Sequence, residues 1–70
     1  MTQAEKATLQ KAACLAVLYY LDQRGLLEGM THQAIANLFG LGHRSTALRY
    51  MHDLEEVKRV IAQYLDQIVM

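Results

Sequence analysis

Apolar positions along the chain recur at helical intervals, in stretches divided by glycine. Thr2 and Glu5 have the spacing of a capping box and predict a first helix over residues 3–24, stopped by Gly25. Its beginning is polar on one side, with Gln3, Lys6 and Gln10, but residues 12–21 contain no polar group except tyrosine hydroxyls. Cys14, Val17, Leu18 and Leu21 share one face, and Ala12, Ala16, Tyr19 and Tyr20 cover much of another. A helix apolar all round must be buried on several sides, either by the other helices or by a second copy. Leu26 and Leu27 are expected to fold back as core plugs, and Gly29 to loosen the connection.

A second helix is predicted from Thr31, whose hydroxyl is suited to accept from a free amide of the first turn. Ile35, Leu38 and Phe39 follow at helical spacing with Ala36 beside them, and Gly40 is the stop. Leu41, Gly42 and His43 make a turn, Arg44 or Ser45 opens the next helix, and Ala47, Tyr50 and Met51 are its inward side. Asp53 and Glu56 repeat a capping pattern, which argues for a further helix, although no proline or glycine enforces a break near His52. Leu54, Val57, Ile61, Tyr64, Leu65 and Ile68 form one stripe. Glu55, Arg59, Gln63 and Asp66 form the opposite face, with Glu55 and Arg59 as a pair stabilising by roughly 0.3–0.5 kcal/mol. These patterns predict an all-α fold: a small bundle of about four helices in a single domain over 1–70, with no wing.

Residues 31–51 follow the physical recipe of a helix-turn-helix, with a small residue where two helices cross, a glycine in the corner and then a hydrophobic plug. The stretch IANLFGLGHRSTALRYM resembles the helix-turn-helix of bacterial transcription regulators. The spacing of Leu26-Leu27, Thr31, Ile35-Ala36 and Gly40 is loosely similar to the DNA-binding end of TetR-type repressors. The resemblance covers about twenty residues well and about fifty loosely, and implies a sequence-specific DNA-binding regulator. One departure is visible: six steps from Gly40 reach Thr46, and the plug, Ala47, is seven away. The turn is therefore expected to be one residue longer, with Gly42 absorbing it.

Composition changes this picture in two ways. The chain has 53% hydrophobic residues and a formal net charge of zero, less basic than a DNA binder usually is. Yet Glu28 and Asp53 are consecutive carboxylates, and the interval between them holds Arg44, Arg49, His32, His43 and His52, so a local positive face is compatible with a neutral protein. With Ala47, Met51 and Leu54 inward, Ser45, Arg49 and His52 face outward, flanked by Thr46 and Leu48. Arg49 is suited to fork onto guanine, Ser45 and Thr46 to reach phosphate or a base edge, and Leu48 to touch a thymine methyl. Arg44 at the helix start is placed for phosphate; Thr31 and Gln33 begin the preceding helix, where free amides favour an anion. The candidate DNA-binding set is Thr31, Gln33, His43, Arg44, Ser45, Thr46, Arg49 and His52.

The three histidines are not at ligand spacing, so no metal is expected, and no cofactor is implied. Cys14 reads as a small core residue, and Tyr19, Tyr20 and Tyr64 as core or interface aromatics. No nucleophile has an evident base, so an enzyme is not expected. A lone cysteine, no membrane-length apolar stretch and no signal-peptide pattern suit a cytoplasmic protein. The expected partners are double-stranded DNA and a second copy, paired through the apolar first helix. A second class stays open: a small protein-interaction module or antitoxin-like partner subunit, favoured by the neutral charge and the apolar first helix.

Overall fold

The computed structural model describes residues 1–69, which form three helices: α1 (Gln3–Gln23), α2 (His32–Phe39) and α3 (Arg44–Val69). The all-α class holds, and no strand occurs among the described residues. The count of about four does not. α3 runs unbroken through His52 and Asp53. Asp53 spends its carboxylate elsewhere, on Lys11 of α1 at 2.7 Å, instead of capping a new helix, and nothing in residues 44–69 breaks the backbone hydrogen-bond ladder.

The other helix ends fall where the sequence places them. Thr2 accepts from the Glu5 amide at 3.2 Å, and Thr31 from the Ala34 amide at 3.0 Å. α1 and α2 stop in the same way, on a left-handed glycine, Gly25 at φ 72° and Gly40 at φ 67°. The next amide then reaches back across the glycine, Leu26 to the Leu21 carbonyl at 2.9 Å and Leu41 to the Ala36 carbonyl at 2.8 Å. This closure satisfies carbonyls that a helix end otherwise leaves free. Gly42 does not share the conformation, so the longer turn is not absorbed by left-handed backbone there. The turn closes through the His43 carbonyl, which accepts from the Thr46 amide at 3.1 Å.

α3 packs on both α1 and α2. Among the described residues six are buried: Leu18, Leu27, Ile35, Ala36, Ala47 and Leu54. Ala36 and Ala47 have no exposed surface, so α2 and α3 cross closely, with Ala47 as the plug. Leu18, Ile35 and Leu54 fill the space around them, each stabilising by about 1.5–3 kcal/mol. Several apolar residues expected inside lie outside. Of the two plugs only Leu27 is buried, and Leu26 is exposed. Leu38 points outward while Phe39 packs on the core. On α1 the inward side comprises Leu15, Leu18, Tyr19 and Leu21, whereas Val17 and Tyr20 are exposed. The stripe on α3 is covered only in its first half, and Tyr64, Leu65 and Ile68 stand in the open.

The shape explains this. The principal extents are 42 × 35 × 15 Å, and one helix with its side chains is already about 10–12 Å across. A layer this thin covers one side of a helix and leaves another bare. The radius of gyration, 13.3 Å, accordingly exceeds the roughly 11 Å of a compact chain this long.

Candidate nucleic-acid interface

The start of α3 presents a ridge of exposed side chains, Ser45, Leu48, Arg49 and His52, opposite the buried Ala47 and Leu54. Thr46 is half-buried on its flank, and His43 and Arg44 are exposed at the helix entrance. Burial of Ala47 fixes this orientation: side chains two positions either side of an inward residue point away from the core.

On one side of the ridge, the beginning of α2 comes against it. Thr31, His32 and Gln33 together with Arg44, Ser45 and Leu48 line a groove of about 340 Å³. Residues eleven or more apart in sequence are thereby brought to one place, with the free amides of the α2 first turn beside them. Thr31 serves as the N-cap, and Gln33 donates to the Asn37 side chain at 3.1 Å, keeping its other amide hydrogen free.

On the other side lies a second hollow of about 400 Å³, lined by Lys11, Thr46, Leu48, Arg49, Tyr50, His52 and Asp53. Lys11 belongs to α1, and sequence reasoning missed it. It reaches Asp53 at 2.7 Å and lies 5.6 Å from the centre of the Tyr50 ring. Its effect is electrostatic. Asp53 is the carboxylate that closes the acid-free interval, and Lys11 neutralises it where it borders Arg49 and His52. No spacing rule links residue 11 to residue 53; only the packing of α1 on α3 does.

Arg44 and Arg49 differ from the paired cations. Lys11 and Lys58 hold carboxylates, and Arg59 pairs with Glu56 at 3.0 Å rather than with the expected Glu55. Among the described residues neither Arg44 nor Arg49 meets a carboxylate. Their guanidinium groups are available to an external anion. The structure thus gathers Thr31, Gln33, His43, Arg44, Ser45, Thr46, Arg49 and His52 on or beside one ridge, with Leu48 among them as expected, and adds His32 and Lys11.

Cys14 is half-buried beside Ala13, Phe39, Leu41 and Tyr50 in a cleft between α1 and the corner. Among the described residues no three His, Cys, Asp or Glu side chains gather as a metal site would require, and no helix is long and apolar enough to cross a membrane. No protein-family model, characterised protein or solved structure matches the chain.

Proposed function

We propose that this protein is a sequence-specific DNA-binding transcriptional regulator that lays the first two turns of α3 in the major groove. The observation that carries the reading is the ridge at the start of α3, exposed and free of unpaired acid, with Arg44 uncommitted beside the α2 N-terminus and Arg49 uncommitted on the ridge itself. In this arrangement α2 sits over the backbone, its first-turn amides and Thr31 and Gln33 toward phosphate. Arg44 and His43 flank the entrance, also toward phosphate. Ser45, Arg49 and His52 meet base edges, and Leu48 offers an apolar contact to a thymine methyl. The resemblance of residues 31–51 to bacterial regulators supports the same assignment. No cofactor takes part, and the protein acts in the cytoplasm.

The regulator works as a homodimer, reading a near-palindrome with half-sites about 34 Å apart. Apolar side chains left bare on α1, with Leu9, Val17 and Tyr20, and on α3, with Tyr64, Leu65 and Ile68, support a second copy. The same exposure favours the second reading, a helical module that binds another protein.

A mobility-shift titration at low salt, on DNA flanking its own gene and on unrelated duplex, separates the two. The DNA reading expects retardation of both at low salt and a preference for one flanking segment as salt rises. Lys11→Ala should weaken binding to both by leaving the Asp53 charge bare, and Lys11→Ala with Asp53→Ala should restore most of it. Absence of retardation at low salt sinks the DNA reading and leaves the interaction module.

A further inference from the structure

α3 outruns the rest of the molecule. Lys58 meets Asp22, in the last turn of α1, at 3.0 Å, and every residue over 62–69 is exposed. Two further helical turns therefore project beyond α1. The overhang propagates from a helix already nucleated in the core, but it buries nothing of its own, so covering it would stabilise it.

The overhang is not a polar extension. Ala47, Tyr50, Leu54, Val57, Ile61, Tyr64 and Ile68 are spaced alternately three and four apart, the a/d rhythm of a helix that packs along one seam. Inside the molecule the seam is used: Ala47 and Leu54 are buried and Tyr50 packs on the core. Val57 and Ile61 are half-covered. Tyr64 and Ile68 continue it in the open, 61% and 78% exposed, and Val60 and Leu65 widen it. A single seam thus passes from the core into solvent without changing character.

We infer that a second copy of this chain covers the overhang, α3 packing on α3 through Ile61, Tyr64, Leu65 and Ile68. Three observations select a second copy over a different partner. The seam continues an interface this helix already makes. Its flanking positions are Val60, Leu65 and Gln67, so no charge row specifies a foreign helix and none repels a like one. Over 60–69 the one charge is Asp66, which the seven-residue rhythm places on the opposite side. The area also fits. Side chains of this size expose on the order of 200 Å² when free, so the open strip supplies on the order of 500 Å² per copy, a large part of the roughly 800 Å² per partner of a standard interface. The inference rests on the homodimer reading, moves its seam from α1 to α3, and stands apart from DNA binding. It joins the dimer seam and the Arg44–Arg49 ridge in one continuous helix, so that the pairing geometry fixes where the two ridges lie.

Sedimentation equilibrium of the full chain across the micromolar range, without DNA, is the test. The parent should be a dimer. Tyr64→Glu with Ile68→Glu, both at exposed positions, should raise the dimer dissociation constant at least tenfold while circular dichroism still reports a folded helical protein. Leu9→Glu with Val17→Glu should leave it within a few-fold of the parent. As a second measure, Tyr64→Cys in a Cys14→Ser background should form a disulfide-linked dimer on mild oxidation, and Leu9→Cys in the same background should not. A monomeric parent, a dimer indifferent to the α3 charges, or dissociation by the α1 charges alone would each overturn the inference. Failure of the DNA reading looks different: a chain that dimerises through α3 and retards no duplex loses that reading alone.

Discussion

Gly40 shows how much one backbone position decides. At φ 67° it turns the chain from α2 into α3, and a Cβ added there would meet nothing within 4 Å. The cost of a substitution is therefore conformational, not steric. Gly40→Val should destabilise by about 1–2 kcal/mol, whereas Gly40→Asn should lose much less because asparagine tolerates the left-handed region. Thermal melting of the two variants checks this; equal midpoints would mean the corner does not depend on that conformation. The two arginines differ at the same scale. Arg49 projects from the middle of the ridge, and Arg44 from its entrance. Arg49→Ala should bring cognate binding toward scrambled binding, a loss of about 1–3 kcal/mol in discrimination. Arg44→Ala should weaken both alike and lower the salt slope by about one. Titrations on both duplexes across salt read the difference, and an unchanged cognate-to-scrambled ratio for Arg49→Ala would move base reading to Leu48 and His52.

At the scale of elements, α3 does two jobs because it is not divided. Its first half fills the core with Ala47 and Leu54, and its second half carries the open seam. His52 lies at the junction on the exposed side. His52→Pro removes a helical hydrogen bond and clashes with the preceding turn without disturbing a buried side chain. It should cost about 3 kcal/mol, whereas His52→Ala, a change to the best helix former at an exposed position, should be neutral or stabilise by a few tenths. Were α3 in fact two helices meeting there, proline at the start of the second would be tolerated, and chemical denaturation would find the two variants alike.

Across the whole molecule, thinness governs stability. With a core of six buried residues, the ion pairs that tie α1 to α3 matter more than in a thicker body. Lys58 bridges Asp22 at 3.0 Å and lies 3.9 Å from Glu55. The hydrogen bond to the Asp22 carboxylate holds the Lys58 ammonium above the usual lysine range. A raised folded value means the contribution is complete below the ordinary lysine value, about 10.4, and is lost as pH climbs through the shifted one. Lys58→Met should therefore lower the melting midpoint slightly and by a constant amount from neutral to mildly alkaline pH. The gap to the parent should close only above the ordinary lysine range. A gap that closes near neutrality would assign the effect to another group.

Local chemistry was legible in the sequence. Thr2 and Thr31 cap their helices, Gly25 and Gly40 end them, and Arg44 opens the next, because capping and left-handed backbone depend on residues a few positions apart. The outward ridge was legible too, since one buried position, Ala47, orients its own helix. Packing across elements was not. Leu26 and Leu27 are alike in sequence, and only the fold buries one; Asp53 reads as a cap until Lys11 reaches it. The periodicity of an apolar stripe states which side of a helix seeks cover, but not how far along its length cover extends. That length is set by where α1 ends beside α3, so the tertiary structure alone separates the covered half of α3 from the bare half.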